Sequence, residues 1–420
     1  MGYWKIQADG LFDGERIQTG VVLVGEDTGD IAAIIPASEA GEDVRRVPGL
    51  LSPGFVNTHC HLELSHMAGV IPEGTGMVDF LLQVMGRRTD GAADPLQAAR
   101  QADRRMYDEG IVAVGDISNN ISTLPIKAGS PLYYHTFVEV MGFMPASADA
   151  RLAQARQVYD AAVRIMGPGT ASLVPHAPYS VSRRLFEAIN RTYAGARDAA
   201  PAGPGRDAAP AAAHQARAGA PLSIHNQESD AENEFYRTGA GDFLRLYAAL
   251  GQNLDFFTPY GKDSLDTYLP WLDAPSNILL VHNVTSHAAG VQQALDLAAS
   301  RGQSLFWCLC PGANQYIQGT MPPVDVLRQA GCTLTLGTDS LASNHRLSIL
   351  HEMRLLQDRF PTLPLEELLR WATVNGARAL GIEHQYGRFA PGTRPGVVLI
   401  GALKDQRITD ATDVTRLWPQ

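Results

Sequence analysis

From Leu50 onward, short apolar runs of β-type composition alternate with longer stretches in which apolar residues recur every three or four positions. The short runs fall at 51–59, 110–118, 132–140, 171–178, 221–226, 277–284, 304–310 and 333–340. Between them, ADPLQAARQADRRMYDEG, ADARLAQARQVYDAAVRIMG and VQQALDLAASRG carry the helical period and each stops at Gly, a natural helix end. Parallel strands joined by helices follow from that alternation, and eight units predict an α/β protein of the (β/α)8 TIM-barrel type. A doubly wound sheet is disfavoured, because neither GxGxxG nor a phosphate loop follows the first strand. Before Leu50, WKIQADGLFDGERIQTG and VVLVGEDTGDIAAII read as short strands broken by Asp-Gly and Thr-Gly-Asp turns. The tail from about 390 returns to strand and turn composition and is expected to pair with that first β unit. Residues 194–220, rich in Ala, Pro and Gly, read as an insertion that carries no chemistry.

Composition narrows the function classes. With 45% hydrophobic and 19% charged residues the chain has the make-up of a globular protein, not of a disordered or collagen-like one. Its formal charge of -10 is spread along the chain with no basic cluster to track a phosphate backbone, so nucleic acid is not an expected partner. No apolar stretch approaches the ~18 residues that would span a membrane, and MGYWKIQADG lacks the pattern of a leader, so the chain reads as cytoplasmic. The four cysteines form no CxxC pair and are expected to be reduced core residues. Oligomeric state stays open, a homodimer among the outcomes.

Polar residues collect where the strands end. In order, the runs close on His59 and His61, Asp116, Glu139, His176, His225, His282, Cys310 and Asp339. In this architecture reactive groups sit at the C-terminal strand ends, and an unpartnered polar group buried there costs several kcal/mol. His59 and His61 share one strand face while Cys60 points the other way, toward packing. Taken alone, an HxH pair is as compatible with hydrogen-bonded strand residues as with half a metal site. Adding His225, His282 and Asp339 shifts the balance: imidazoles plus one carboxylate suit Zn²⁺ or Fe²⁺ and leave a coordination position open, whereas a structural zinc site would be cysteine-rich.

PGFVNTHCH, PHAPYSVS, IHNQES, LVHNV and LGTDSLASN, in this order and at these separations, resemble the amidohydrolase superfamily, in particular its cytosine deaminase and chlorohydrolase-related branch. The resemblance covers nearly the whole chain. It implies a barrel over 51–389 and a composite β-sandwich built from 1–50 and 390–420. It also implies that His59, His61, His225 and Asp339 hold one divalent ion, zinc first and Fe²⁺ second. His282 matches a sixth-strand histidine that in this branch lies near the water and the substrate more often than it ligates, and Glu228 matches the proton-shuttling glutamate of the deaminases. Asp230, Glu232 and Glu234 read as a solvated helix face. Two-metal relatives carry a carboxylated lysine after strand four, but Lys5, Lys127, Lys262 and Lys404 all lie far from PHAPYS in the chain, so one metal is expected. PGTRPGVVLI departs from the Ala-Asp that related proteins carry before the last apolar run; nothing catalytic depends on it.

The implied reaction is hydrolytic deamination of a small molecule, an amino-substituted N-heterocycle. Asp339 would take the first proton, His282 would orient the water, and Glu228 would protonate a ring nitrogen and help ammonia to leave. HAPYSVS resembles the adenosine-type deaminases, with His176 reaching the substrate or else serving as a core histidine. HCHLELSHM and WCLCPGANQYI resemble the aminodeoxyfutalosine deaminases, which act on an adenine nucleoside in a menaquinone route; other options are S-adenosylhomocysteine/methylthioadenosine, guanine or cytosine deaminases, or a chlorohydrolase. Glu63, Glu139, Ser343 and Asn344 are candidates for lining the pocket or for supporting and packing roles. His66, His214, His287, His345, His351 and His384 read as surface or helix residues, and Phe306 and Trp307 as barrel packing. A non-catalytic barrel scaffold would be expected to show gaps in the ligand set, and here each position is filled.

Overall fold

The computed structural model describes residues 2–90, 94–197 and 220–418. In chain order the strands are β1 (Tyr3–Gln7), β2 (Gly10–Phe12), β3 (Ile17–Gln18), β4 (Val21–Glu26), β5 (Ile31–Pro36), β6 (Arg45–Arg46) and β7 (Leu50–Pro53). They are followed by β8 (Phe55–Cys60), β9 (Ile111–Ser118), β10 (Tyr133–Val140), β11 (Ala171–Pro175), β12 (Pro221–Asn226), β13 (Asn277–His282), β14 (Ser304–Leu309) and β15 (Thr333–Leu336). The tail supplies β16 (Val397–Gly401) and β17 (Asp413–Trp418).

Strands β8 to β11 form one parallel sheet and β12 to β15 a second, each in chain order. Because helices such as Ala148–Met166 and Ala288–Arg301 pack behind them, both strand faces are covered, and β9 is buried at every residue from Ile111 to Ser118. The two sheets touch along both edges. At one, the His225 N–H donates to the His176 carbonyl (3.0 Å); at the other, the Thr338 and Asp339 N–H groups both donate to the His59 carbonyl (3.0 Å each).

Two strand boundaries differ from the periodicity. The run 51–59 is two strands: β7 pairs with β16 in the terminal sheet, and β8 pairs with β9. They part at Gly54, where a Cβ would stand 2.1 Å from Val112 Cγ1 and 3.0 Å from the Pro395 carbonyl, so only glycine lets the chain cross between sheets. β7 therefore lies in the terminal sheet and β8 in the parallel one. The run 333–340 stops being a strand at Leu336, and Asp339 lies beyond it at φ +56°.

The two chain ends share one sheet, ordered β17-β16-β7-β2-β3, while β5-β4-β1-β6 form a separate four-stranded sheet. Most of the 194–220 insertion lies outside the described residues. Cys60, Cys308 and Cys310 are buried, Cys332 is partly so, and all four are free. Beyond the main core, a second apolar cluster joins Leu64, Met67, Phe143, Tyr179, Phe235 and Tyr247, drawn from segments that follow the C-terminal strand ends. Among the described residues, no helix is long and apolar enough to cross a membrane.

Candidate active site

His59 and His61 come from the end of β8, His225 from β12, and Asp339 from the loop after β15. His61 Nε2 lies 3.2 Å from His59 Nε2 and 3.3 Å from His225 Nε2, and Asp339 Oδ1 lies 3.3 Å from His61 Nε2 and 3.6 Å from His59 Nε2. A tetrahedron with zinc–nitrogen bonds of ~2.0–2.1 Å has edges of ~3.3–3.4 Å, and these four separations lie close to that length. Burial pushes the pKa values of all three rings below the ordinary histidine range, which keeps lone pairs available. His225 Nδ1 donates to the His176 carbonyl (2.8 Å), which places its proton there and leaves Nε2 free to bind. On the other side, Ser343 Oγ donates to Asp339 Oδ2 (2.7 Å) and orients the carboxylate.

His282 ends β13, and its ligating nitrogen lies within 4.8 Å of those of His59 and His225. Its Nε2 stands 3.5 Å from Glu228 Oε1 and has no hydrogen-bond partner among the described residues, while Nδ1 is 3.1 Å from Asn314 Nδ2. Glu228 is buried, and that burial, with Asp339 and Glu232 nearby, lifts its carboxyl well above the usual range. Proton donation is favoured by a shift in that direction. Glu232 departs from the expected solvated face. It is fully buried, and its Oε1 accepts from the Gln227 N–H (2.9 Å) and Ser264 Oγ (2.5 Å), because the first turn of helix Asp230–Thr238 packs inward beneath the Gln227 turn.

Around these groups lies a polar ring. Glu139 is buried with its Oε1 3.4 Å from His225 Nδ1 and without a hydrogen-bond partner among the described residues, and burial pushes its carboxyl up to about 8. His176 joins it and His225 in one cluster, its Nδ1 2.6 Å from Ser180 Oγ. Glu63 accepts from Arg88 Nη2 (2.7 Å), the Asn119 N–H (3.1 Å) and Nδ2 (3.2 Å), and Asn120 Nδ2 (2.8 Å), so its oxygens are held by protein donors. Asn344 Nδ2 is similarly committed, to the Thr338 carbonyl (2.9 Å) and Glu352 Oε1 (2.8 Å). His66, expected at the surface or on a helix, is buried in a 3-10 turn with Nε2 2.8 Å from the Arg88 carbonyl.

Some contributors escaped the sequence reading. Asp116 pairs with Lys127, both fully buried, and also accepts from the Leu62 N–H (2.8 Å), steadying the turn that follows His61. Lys127 stands alone in LPIKA and gives no local signal. Asn314 and Gln318 lie in the quoted stretch WCLCPGANQYI or just beyond it, but nothing in their spacing marks them.

The chain matches the Amidohydrolase family over residues 50–419. It belongs to the amidohydrolase family. It is 25% identical over 347 residues to an adenosine deaminase of Helicobacter pylori, covering 80% of this chain and 75% of that one. To an aminodeoxyfutalosine deaminase of Deinococcus radiodurans it is 26% identical over 381 residues, covering 88% and 82%. The crystal structure of Helicobacter pylori aminofutalosine deaminase with methylthio-coformycin superposes with a TM-score of 0.76 at 21% identity, covering 97% of this amidohydrolase and 93% of that chain. Atrazine chlorohydrolase from Arthrobacter aurescens with zinc gives 0.68 at 17%, covering 97% and 89%. These two structural likenesses speak for the fold alone.

Proposed function

We propose that this amidohydrolase is a metal-dependent deaminase of an adenine nucleoside, 6-amino-6-deoxyfutalosine of a menaquinone route being the first candidate. The observation that carries the reading is a buried Glu228, its carboxyl shifted toward the protonated form, 3.5 Å from His282 and close to imidazole and carboxylate donors that neighbour one another at 3.2 to 3.6 Å. Relatives named for adenosine, aminodeoxyfutalosine and methylthioadenosine/S-adenosylhomocysteine deamination support the substrate class. In the same reading the two parallel sheets are halves of one (β/α)8 barrel, and the terminal sheets form a composite sandwich beside it.

His59, His61, His225 and Asp339 would hold the ion, zinc first and Fe²⁺ second. When bound, it lowers the pKa of water toward ~7 and so supplies a nucleophile at neutral pH. Glu228 gives its proton to a ring nitrogen of the substrate, making the adjacent carbon electrophilic, and then helps ammonia to leave. Asp339 would take the proton of the attacking water, and His282 would orient that water. His176 and Glu139 face the substrate, and Ser343 holds Asp339 in line.

The test is product release from a panel. Ammonia should come from adenine nucleosides, including 6-amino-6-deoxyfutalosine, 5′-methylthioadenosine and S-adenosylhomocysteine. It should stop with a chelator and return with added Zn²⁺. Ammonia from guanine or cytosine alone, or chloride from chlorinated triazines, would move the protein to another member of the branch. A metal stoichiometry near zero that Zn²⁺, Fe²⁺ and Mn²⁺ cannot restore would make it a non-catalytic scaffold.

A further inference from the structure

The helix Pro311–Gln318, which follows β14, touches both proton-handling residues from one face. Asn314 and Gln318 are four residues apart and therefore lie above one another on the helix surface. Asn314 Nδ2 lies 3.1 Å from His282 Nδ1, and Gln318 Nε2 donates to the Glu228 carbonyl (2.6 Å). The helix start is itself pinned, since the Gly312 N–H donates to Glu352 Oε2 (2.8 Å), and a Cβ on Gly312 would stand 2.6 Å from Asn344 Nδ2. Asn314 and His282 are both fully buried, so water does not compete for their contact.

The geometry points to Asn314 as a positioning residue that sets the tautomer of His282. A ring nitrogen that accepts from an amide N–H must carry the lone pair, so the single proton of the neutral ring sits on Nε2. That Nε2–H is a buried donor with no hydrogen-bond partner among the described residues, 3.5 Å from Glu228 Oε1. His282 is thereby fixed as a hydrogen-bond donor to an oxygen in the site. It can neither take the proton of the attacking water nor add a fifth protein ligand. Proton acceptance is left to the carboxylates, Asp339 first. This inference rests on the deaminase reading for its catalytic consequence only; the tautomer is a property of the resting protein.

The experiment is Asn314→Asp, which keeps the size of the side chain and replaces the donor with an acceptor. Histidine-selective ¹⁵N labelling reads the tautomer of His282 directly, with His282→Gln to assign its signals. Spectra are taken at mildly alkaline pH, where the ring stays neutral. In the wild type, Nε2 should carry the proton and Nδ1 the lone pair. In Asn314→Asp the two should exchange, zinc content should hold, and kcat should fall ~10²- to 10⁴-fold with little change in KM, the scale seen when a catalytic histidine takes the wrong tautomer. Asn314→Ala, which removes donor and acceptor together, should give a mixed tautomer and a smaller fall; it also serves if the aspartate variant does not fold. A proton on Nδ1 in the wild type, or an Asn314→Asp enzyme with unchanged tautomer and kcat, overturns the proposal. If none of the panel compounds is turned over, the spectra still decide it, so its failure and that of the deaminase reading are distinguishable.

Discussion

The two parallel sheets solve the same problem, holding polar groups at buried strand ends, in different ways. Over β8 to β11, no non-glycine residue among those described adopts a left-handed backbone, and the polar groups are tied by charge: Asp116 to Lys127, and Glu63 to Arg88 with Asn119 and Asn120. Over β12 to β15, Gln227, His282, Asn283 and Asp339 all stand at positive φ, between 47° and 78°. Each such residue carries about 1–3 kcal/mol of strain and persists only where its surroundings over-determine it. They do so here through side chains that clamp the backbone. Glu232 binds the Gln227 N–H; Asn283 takes a bond from Asn226 Nδ2 (2.9 Å) and gives one to the Leu280 carbonyl (2.8 Å); Ser343 holds Asp339. The difference teaches that one sheet is stapled by buried charge pairs while the other aims the groups that would move protons in the proposed reaction. Breaking the charge pairs of the first sheet, Asp116–Lys127 and Glu63–Arg88, should appear mainly as lost stability, and changing Glu228 or Asp339 in the second as lost turnover.

The largest effect expected is in the second sheet. Glu228→Gln should lower kcat ~10²- to 10⁴-fold while metal content and the unfolding midpoint stay near wild type. A variant that loses metal in step with activity would break the division. In the first sheet, Asp116→Asn or Lys127→Met alone should cost about 3–5 kcal/mol in denaturant unfolding, because each leaves a buried charge unpaired. Asp116→Leu combined with Lys127→Met should cost less than the sum of the single changes. If instead either single variant unfolds like wild type yet is inactive, the charge pair is part of the chemistry. Ser343→Ala should weaken zinc affinity by roughly 10- to 100-fold in chelator competition, since the group that orients Asp339 is gone.

A pH dependence is expected within the second sheet as well. Glu352, which holds the Gly312 N–H and Asn344, has its carboxyl pushed up by burial to about 8 from an ordinary 4.5. Its folded form binds the proton more tightly than its unfolded form. The native state therefore holds more protons between those values, and the contribution of Glu352 to stability is complete below about 4.5 and declines as pH rises to about 8. Relative to Glu352→Gln, the wild type should lose on the order of a few kcal/mol across that window, read as the difference between two unfolding curves. A flat difference would mean that the two N–H donors stabilise the carboxylate enough to offset its burial. Glu139 and Glu232 titrate in an overlapping range, to about 8 and about 7, which is why only the difference curve isolates Glu352.

How much of this was legible in the chain follows from how far apart the partners lie. A histidine at the end of an apolar run is conspicuous by itself, and His59, His61, His225 and His282 stand out in this way. Glu232 looked like one of several carboxylates on an exposed face, because its burial depends on Ser264 and Gln227 closing over it. Asn314 lies 32 residues from His282, and the Asp116 carboxylate reaches Leu62 across 54. No local period links such positions. The split at Gly54 was hidden for a related reason, since both strands flanking it are apolar and only their partners, β16 and β9, differ.

By itself, the sequence determined the element order, the apolar strands, the reduced cysteines and the residue types available at the strand ends, because these depend on local pattern and composition. Only the tertiary structure decided which donors come within reach of one ion, which carboxyls lose water and keep their protons, and which side chains clamp the strained turns. Those properties arise from distance and dielectric, and both exist only once the chain has packed.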